Sequence, residues 1–330
     1  MHPVLETVAL RKSFAFRQGV GQPVRRVHAV SDVSLALMPG QTLGIVGESG
    51  CGKSTTARLI MGLMPSDAGD ILLDGHVVGT GKAAMRAFRR NVQMVFQDSS
   101  ASLNPRLTLE QSVAFGPQVH GVPARESIAR ARDLLARVGL DPARFAGRYP
   151  HEVSGGQRQR VNIARALALQ PRVVIFDEAV SALDKSVEAQ VLNLLADLKA
   201  EFSLSYIFIS HDLNVVRHVS DEVVVMYLGQ VIERAPAADL YSAPAHPYTR
   251  ALLASMPSHD PDSRTMEPPL TGDPPSPIDL PPGCRFAPRC PLVANVCTTR
   301  APALLARGRH ACACHLADAA SGHPKVEAFA

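Results

Sequence analysis

Residues 47–56, with the sequence GESGCGKSTT, constrain the fold more than any other part of the chain. Gly47 through Ser54 follow the pattern G-x-x-x-x-G-K-[ST], in which successive backbone N–H groups surround the phosphates of a nucleotide. In this pattern Lys53 reaches the β- and γ-phosphates, and the Ser54 hydroxyl binds Mg²⁺. The alternative is a glycine-rich turn that carries a lysine by chance.

The segments on both sides of this loop favour phosphate binding. A phosphate loop has to follow a buried strand and open a helix, whose N-terminal dipole attracts anions. QTLGIV (Gln41–Val46) is a short apolar run with β-branched residues, and KSTTARLIMGL after the loop repeats apolar residues at helical spacing. Cys51 lies inside the loop with no cysteine nearby, so we interpret it as a small filler of the loop and not as a redox group.

Short apolar runs bounded by turn residues recur along the chain and alternate with helical patterns. The runs are TLGIVG, NVQMVFQ, RVVIFDE, SYIFISH and EVVVMYLG, and the helical patterns are RESIARARDLLARVGL, GGQRQRVNIARALAL and SVEAQVLNLLADLKAEF. Apolar strands separated by helices are typical of a parallel sheet covered on both faces. HAVSDVSLALMPGQ, near the start, alternates more and predicts an antiparallel strand pair that leads into the core.

Composition and charge exclude several classes of protein. With 330 residues, 46% of them hydrophobic, the chain can bury a substantial core as one large domain with an appendage or as two domains. The net charge of +4 is small and the basic residues are scattered, so we expect no nucleic-acid partner. No run of about 18 apolar residues occurs, and the N-terminus lacks an apolar signal core, so we expect a cytoplasmic location.

Polar residues end three further apolar runs of the predicted sheet. Asp177 and Glu178 end RVVIFDE, Gln97 ends NVQMVFQ and His211 ends SYIFISH. At the edge that also carries the phosphate loop, Asp177 would hold the Mg²⁺ water shell and Glu178 would polarise the attacking water. Gln97 would touch Mg²⁺ or the water, and His211 the γ-phosphate. The alternative for Gln97 and His211, each taken singly, is an ordinary polar residue at a strand end. For the Asp-Glu pair the alternative is a solvated turn.

A second anion-binding motif lies in VSGGQ, residues 153–157. Ser154, Gly155 and Gly156 come directly before a long helical pattern, so they predict a helix N-terminus that binds anions without a phosphate-loop lysine. One chain thus carries two half-sites for phosphate. This arrangement makes mechanical sense if two chains pair head to tail, each covering the nucleotide of the other.

The order of these motifs resembles the nucleotide-binding subunit of ABC transporters. The motifs are GESGCGKST, Gln97, VSGGQ, VVIFDE, SALD (Ser181–Asp184) and His211, and the resemblance covers about residues 4–255. It implies an α/β P-loop NTPase fold of the ABC type, with a RecA-like, mostly parallel sheet core, an N-terminal antiparallel β-subdomain and an inserted helical signature subdomain at about residues 98–165. It also implies ATP hydrolysis coupled to transport.

The resemblance assigns roles at the nucleotide. Asp177 supports Mg²⁺ together with Ser54 and Gln97, Glu178 is the catalytic base, and His211 stabilises the γ-phosphate. Gln97 also senses the γ-phosphate and couples the site to the membrane subunit. The remaining ATP contacts come from the loop itself: Gly47, Glu48, Ser49, Gly50, Cys51, Gly52, Lys53, Ser54 and Thr55.

Further roles concern the adenine ring and the second cassette. Phe14 matches the aromatic residue on which adenine stacks; a core position is the alternative, and Phe16 is a close competitor. Asp184 bridges the dimer. The signature residues that contact the partner's ATP are Ser154, Gly155, Gly156 and Gln157.

Other segments resemble one branch of the family, the ATPases of oligopeptide and dipeptide importers. These segments are VFQDSSASLNPRLT, YPHEVSGGQRQRVNIARALAL, EAQVLNLLADL and PAHPYTRALLASMP. The branch implies peptide uptake by a complex at the cytoplasmic face of the inner membrane. Its partners are a second ATPase subunit (identical or different), two membrane permease subunits and an extracytoplasmic solute-binding protein.

Other functions remain open beside peptide uptake. An importer of the same branch for nickel or another small solute is one alternative. A soluble ABC ATPase that acts on DNA or the ribosome is another, and a cassette that binds nucleotide without hydrolysing it is a third. The single cassette, without a basic stripe or heptad run, disfavours the soluble ATPase.

The character of the chain changes at about residue 256. Eleven of the 26 prolines lie between Pro257 and Pro291, which predicts an extended linker followed by a small cysteine-bearing tail. We therefore predict a nucleotide-binding domain over residues 1–255 and a Pro/Cys-rich C-terminal extension over residues 256–330. Five of the six cysteines lie within residues 284–314, which is unlike a secreted disulfide framework and indicates a metal or a cluster.

The peptide-importer branch carries the pattern GCRFAPRC, followed by a cysteine and by Cys-His. Here the pattern is met by Cys284, Cys290, Cys297 and Cys314, before His315. The resemblance implies a [4Fe–4S] cluster, for which four thiolates are suitable ligands. Tetrahedral zinc accepts the same ligands, and free thiols are a third alternative. Cys312 leaves the fourth ligand ambiguous, and the family pattern favours Cys314.

Two residues depart from the family pattern. Ala179 stands where the family usually has proline, and Lys185 stands where it usually has an apolar residue. Neither change removes a catalytic group. Both lie on the loop that meets the partner subunit in the family, so dimer geometry or partner choice can differ.

Overall fold

Strands and helices alternate along most of the chain, whose computed structural model describes residues 2–17, 19, 23–99, 101–256 and 272–326. Within these ranges the strands are β1 (Leu5–Phe16), β2 (Arg25–Leu37), β3 (Thr42–Val46), β4 (Ala68–Leu73), β5 (His76–Val77), β6 (Val92–Val95), β7 (Val173–Asp177), β8 (Ser205–Ile209), β9 (Glu222–Tyr227), β10 (Gln230–Pro236), β11 (Leu305–Arg307) and β12 (His310–Cys312). The helices are α1 (Lys53–Ile60), α2 (Lys82–Asn91), α3 (Leu109–Val119), α4 (Ala124–Arg137), α5 (Pro142–Phe145), α6 (Gly155–Leu167), α7 (Lys185–Phe202), α8 (Leu213–Val219), α9 (Ala237–Ser242), α10 (Pro247–Ala254) and α11 (Asn295–Thr299).

The chain divides into two units, each assembled from three segments. The first unit comprises Met1–Leu5, Leu37–Thr42 and Leu72–Ser210. The second comprises Glu6–Ala36, Leu43–Ile71 and His211–Ala330. The phosphate loop therefore belongs to the second unit, and the VSGGQ motif with the Asp-Glu pair belongs to the first.

In the first unit, β7 lies between β6 and β8 and runs parallel to both. Every residue of β7 and β8 is buried, which is why these strands are apolar throughout and do not alternate. Helices α3, α4 and α6 pack against one another and form the helical part of this unit. The parallel strands and these helices agree with the predicted RecA-like core and helical subdomain.

In the second unit, β3 runs parallel to β9, and β10 returns antiparallel to β9. All residues of β3 and β9 are buried. The N-terminal strands β2, β1 and β4 are neighbours in a separate antiparallel sheet, as predicted. HAVSDVSLALMPGQ supplies one long strand of that sheet, β2, and not the predicted strand pair, because its partner β1 comes earlier in the chain.

The C-terminal residues extend the sheet of the second unit. Strand β12 pairs antiparallel with β10, with Cys312 opposite Glu233, and β11 pairs with β12. Strand pairing therefore holds the predicted cysteine-bearing tail in the fold of the second unit. Most of the predicted proline-rich linker, residues 257–271, lies outside the described residues.

None of the helices in the described ranges combines the length and the apolar character that a membrane crossing needs.

Candidate functional site

The phosphate loop connects β3 to α1, as the sequence predicts. Gly47 and Gly52 have φ values of 147° and 106°, in the left-handed range. A Cβ atom on Gly47 would lie 2.2 Å from the carbonyl oxygen of Met226, and one on Gly52 would lie 2.3 Å from that of Ala29. Only glycine fits these two positions without moving the backbone of neighbouring strands.

The side chain of Lys53 is buried inside the loop. Its Nζ donates to the carbonyl oxygen of Gly47 at 2.6 Å and to that of Glu48 at 2.9 Å. It also lies 3.7 Å from the Sγ atom of Cys51. Burial raises the pKa of the Cys51 thiol, although the nearby Lys53 lowers it in part, which agrees with a neutral filler of the loop. The ammonium group is thus fixed within the turn that the motif assigns to phosphate.

The rest of the loop presents backbone and hydroxyl groups at the start of α1. Ser49 and Gly50 are exposed, while Ser54 and Thr55 are half-buried in the first helical turn. The helix dipole adds a partial positive charge at this end. The loop therefore combines three features that bind phosphate: N–H groups, a lysine and a helix N-terminus.

The Asp-Glu pair of the first unit lies at the end of β7. Asp177 is buried, and Glu178 follows with a φ of 50°, an unusual value for a residue that is not glycine. The Nε2 atom of Gln97 donates to Oε2 of Glu178 at 2.8 Å. The backbone N–H of Glu178 donates to the carbonyl oxygen of Ile209 in the neighbouring strand. The structure thus brings together Gln97 and Glu178, which are 81 residues apart in the sequence.

The VSGGQ motif forms the N-terminus of α6. The Ser154 hydroxyl accepts from the Gln157 backbone N–H at 3.3 Å, and the Gln157 side chain accepts from the Ser154 N–H at 3.0 Å. This reciprocal pair is a capping box. A Cβ atom on Gly156 would lie 2.5 Å from Cγ1 of Val187, so glycine is needed for close packing. Ser154 is exposed, which leaves this helix N-terminus open to a ligand from outside the chain.

The remaining predicted residues lie on the surface of their units. Asp184 is exposed at the N-terminal cap of α7 in the first unit. In the second unit, His211 is exposed just before α8. Phe14 on β1 is 42% exposed, so it is not a core residue, and Lys12 lies 5.8 Å from the centre of its ring. Phe16 is half-buried.

The four predicted cysteine ligands converge on one pocket of the second unit. Cys284, Cys290, Cys297 and Cys314 all line this cysteine pocket. Cys312 is fully buried but does not line the pocket, whereas Cys314 does, which favours Cys314 as the fourth member. In the described part of the chain, no three Cys, His, Asp or Glu side chains are arranged closely enough to hold a single metal ion.

Burial governs the chemistry of this pocket. It raises the pKa of Cys284 to about 11 and that of Cys314 to about 12. His246 also lines the pocket, and burial lowers its pKa to about 4, so the ring is neutral at pH 7. Its Nδ1 accepts from the Tyr248 N–H, so the proton lies on Nε2, a buried atom with no hydrogen-bond partner in the described part of the chain. The cysteine pocket thus brings together four thiols and one buried N–H group that lacks an acceptor among the described residues.

Two residues near the phosphate loop were not singled out from the sequence. The Tyr248 hydroxyl accepts from the Glu48 N–H at 2.9 Å, and the Arg289 guanidinium pairs with the Glu48 carboxylate. In the sequence, Tyr248 lies 200 residues from Glu48 and Arg289 lies 241 residues from it. Tyr248 lies in PAHPYTRALLASMP and Arg289 in GCRFAPRC, but neither segment indicates a contact with Glu48, because the fold of the second unit creates both contacts.

Family profiles match two parts of the chain. The profile described as ABC transporter matches residues 30–181. The profile described as oligopeptide/dipeptide transporter, C-terminal region, matches residues 232–297. The first match contains the phosphate loop, VSGGQ and the Asp-Glu pair, and the second contains three of the four pocket cysteines.

Curated relatives and solved structures agree with these profiles. A probable peptide ABC transporter ATP-binding protein of Sinorhizobium fredii is 48% identical over 335 residues, which cover 99% of this chain and 94% of that protein. The oligopeptide transport ATP-binding protein AppF of Bacillus subtilis is 48% identical over 320 residues, which cover 95% and 97%.

Two solved structures share the fold of the cassette at 26% sequence identity. One is CbiO1 of Clostridium perfringens, part of an ABC transporter complex, with a TM-score of 0.63 over 73% of this chain and 92% of that chain. The other is a dimeric post-hydrolysis state of an ATP-binding cassette bound to ADP and Pi, with a TM-score of 0.62 over 71% and 98%. With nearly full-length relatives at 48% identity, the chain belongs to the ATP-binding subunits of ABC transporters, in the branch that carries the oligopeptide/dipeptide transporter C-terminal region.

Proposed function

We propose that this chain hydrolyses ATP to drive the uptake of peptides through an ABC importer at the cytoplasmic face of the inner membrane. The observation that carries the proposal is the presence, in one chain, of a complete ABC motif set and the C-terminal region of oligopeptide and dipeptide transporters. The relatives named for peptide or oligopeptide transport support it over nearly their whole length. Its partners would be a second ATPase subunit, two permease subunits and an extracytoplasmic solute-binding protein.

The phosphate loop would bind the triphosphate. Lys53 lies in the turn formed by Gly47 and Glu48, from which its ammonium can transfer to phosphate oxygens that replace the two carbonyl acceptors. The backbone N–H groups of the loop, together with Ser54 and Thr55, would also bind the phosphates. Phe14, exposed on β1, would stack on the adenine ring.

The Asp-Glu pair and Gln97 would act on the γ-phosphate. Mg²⁺ would be held by Ser54, Gln97 and Asp177, and when bound it neutralises charge on the β- and γ-phosphates. Glu178 would accept a proton from the attacking water and orient it. The bond that Gln97 donates to Glu178 holds that carboxylate in place before substrate arrives. His211 would stabilise the charge that develops on the γ-phosphate.

The second half-site is proposed to act across a dimer. The exposed Ser154 cap and the N-terminus of α6 would bind the γ-phosphate held by the partner's phosphate loop, while Asp184 would contact the partner. These charge-assisted bonds form only in the closed dimer, so ATP binding shifts the equilibrium toward closure. Closure would then move the membrane subunits.

Uptake by living cells tests the proposed cargo. Cells that lack this chain should lose uptake of labelled di- and oligopeptides, regain it with the wild-type chain, and not regain it with Glu178→Gln. Loss of nickel uptake alone would support the alternative cargo of the same branch. Unchanged uptake of both solutes, with a chain that does not sediment with membranes, would support a soluble ABC ATPase.

For the cysteine pocket we propose a [4Fe–4S] cluster held by Cys284, Cys290, Cys297 and Cys314. All four side chains line one pocket, and the orphaned Nε2–H of His246 would find an acceptor in a cluster sulfur. Iron and sulfide analysis of anaerobically purified protein, with its visible absorption spectrum, tests this assignment. Zinc without iron would assign a Cys₄ zinc site instead, and the absence of both metals would leave free thiols.

A further inference from the structure

The Glu48 carboxylate, inside the phosphate loop, forms a bidentate ion pair with Arg289 of the C-terminal extension. Nη1 of Arg289 lies 2.8 Å from Oε2 of Glu48, and Nη2 lies 3.0 Å from Oε1. The Arg289 side chain is only 5% exposed and that of Glu48 is 25% exposed. Bidentate geometry and burial make this pair stronger than an ordinary surface ion pair.

Aromatic side chains fix both partners of this pair. The Tyr248 hydroxyl accepts from the Glu48 N–H at 2.9 Å. The ring of Tyr248 packs on those of Tyr227 and Phe286, with centroids 4.7 and 5.5 Å away. The Arg289 guanidinium lies 6.0 Å from the centre of the Tyr227 ring. The hydrogen bonds that Arg289 donates to Glu48 raise the pKa of Arg289 above its ordinary value, so the guanidinium is charged at every physiological pH.

The position of this pair matters for nucleotide binding. Glu48 is the residue after Gly47, whose carbonyl accepts from Lys53, and its own carbonyl accepts from Lys53 as well. An uncompensated carboxylate at this point would repel a triphosphate and compete with it for the lysine. Like charges at short range in a half-buried site cost more than they do in water.

We propose that Arg289 is a positioning residue of the ATP site, which neutralises and orients Glu48 so that the phosphate loop accepts a triphosphate. The C-terminal extension is then part of the nucleotide site as well as the carrier of the cysteine pocket. Arg289 ends a short 3-10 helix (Ala287–Arg289) and directly precedes Cys290, so the turn that places the guanidinium also leads into that pocket.

The full-length chain allows a test by direct measurement of Mg-ATP binding. Isothermal titration calorimetry should give a Kd about tenfold higher for Arg289→Gln than for the wild type, since the variant leaves Glu48 unpaired beside the phosphates. Glu48→Gln in the same chain should restore binding to within about threefold of the wild type, because it removes the unpaired charge. Arg289→Lys, which keeps the charge without the bidentate geometry, should lie between Arg289→Gln and the wild type.

Two further readouts separate this role from a merely structural one. In ATPase assays KM should rise with Kd while kcat changes less than about twofold, because the loop holds the ground state and the transition state alike. The ratio of the Arg289→Gln Kd to the wild-type Kd should shrink as salt is raised, since the proposed penalty is electrostatic. Arg300→Gln is the matched control, because the Arg300 guanidinium donates to the Ser321 carbonyl within the extension, and this substitution should leave Kd unchanged.

Three outcomes would overturn the proposal. Wild-type affinity in Arg289→Gln would show that Arg289 has no part in nucleotide binding. Equal weakness of Arg289→Gln and the double variant would show that Arg289 supports the fold without acting through the Glu48 charge. An equal loss in Arg300→Gln would indicate general loosening of the extension.

Discussion

At the scale of single residues, the most specific feature of the hydrolytic half-site is Glu178. It has a φ of 50° at the end of β7, and its carboxylate accepts from Gln97. A residue other than glycine keeps such a conformation only when its surroundings enforce it, and here the N–H bond to Ile209 helps to do so. Glu178 is therefore held in an unusual backbone conformation directly after the buried Asp177.

The first prediction concerns this carboxylate. Glu178→Gln should lower the rate of ATP hydrolysis by about 10²–10⁴-fold, because the amide cannot accept a proton from the attacking water. The Kd for Mg-ATP should stay within a few-fold of the wild-type value, since the phosphate loop is intact. Steady-state phosphate release and calorimetry measure the two quantities.

Glu126→Gln is a suitable control for that substitution. Glu126 is exposed on α4, where it pairs with Arg130 one turn away, and its loss should not change hydrolysis. Wild-type turnover in Glu178→Gln would remove Glu178 from the role of base.

At the scale of elements, two helices of the first unit begin with the same capping box. In α6 it joins Ser154 and Gln157, and in α3 it joins Thr108 and Gln111. The two caps satisfy the same backbone groups, so they contribute similar stability. Only the cap of α6 is followed by the two glycines, Gly155 and Gly156, that we propose to bind the partner's nucleotide. Comparison of the two caps therefore distinguishes the effect of capping on stability from the proposed role of Ser154 in nucleotide binding.

The second prediction uses this pair of caps. Ser154→Ala and Thr108→Ala should each lower the free energy of unfolding by about 1 kcal/mol, as loss of an N-cap side chain does. Only Ser154→Ala should also lower ATP hydrolysis, because it removes the hydroxyl that we propose to contact the γ-phosphate across the dimer. Urea unfolding and ATPase assays of both variants check this, and equal loss of activity in both would contradict the signature role.

Glu233 links the C-terminal strands to the rest of the second unit. Its carboxylate, in β10, accepts from the N–H groups of Ala245 and His246, and it pairs with His310 of β12 at 2.7 Å. Burial raises the pKa of Glu233, but these hydrogen bonds outweigh it and leave the pKa below its ordinary value. The carboxylate is therefore ionised near neutral pH.

The third prediction follows from these bonds. Glu233→Ala should lower the free energy of unfolding by roughly 3–5 kcal/mol, because it leaves several buried donors without an acceptor. Since the folded pKa is lowered, this contribution is present above the ordinary carboxyl pKa and is lost as the pH falls through the lowered value. Urea unfolding at pH 7 and in acid measures it, with Glu126→Ala expected to cost under about 1 kcal/mol. A wild-type midpoint for Glu233→Ala at pH 7 would contradict the role of Glu233 in the second unit.

At the scale of the whole molecule, one chain holds two half-sites for phosphate, so its proposed chemistry needs a second cassette. The fourth prediction is that Glu178→Gln, which keeps ATP bound, forms a dimer with Mg-ATP and stays monomeric without nucleotide. Ser154→Glu in that background should prevent dimerisation, because its carboxylate would face the partner's γ-phosphate. Light scattering after size-exclusion chromatography measures both states. Dimers that form equally with or without ATP would contradict nucleotide-driven closure.

The order and type of the motifs could be predicted from the sequence because each depends on local spacing. The phosphate loop needs glycines, a lysine and a hydroxyl within eight residues, and VSGGQ needs only a cap and a helix. Buried parallel strands such as β7 were predictable too, since burial on both faces leaves an uninterrupted apolar run. These local features are therefore sufficient to predict the α/β class and the ABC ATPase activity from the sequence alone.

Tertiary structure alone decided which distant residues meet. Three contacts join residues that are far apart in the sequence. Arg289 pairs with Glu48 across 241 positions, Tyr248 bonds to Glu48 across 200, and Glu233 pairs with His310 across 77. Side-chain type does not reveal such pairs, because a buried ion pair depends on how strands and turns are assembled and not on sequence neighbours. For the same reason, the sequence does not reveal how the cysteine-bearing tail is attached, whereas the structure shows that pairing of β12 with β10 makes it part of the second unit.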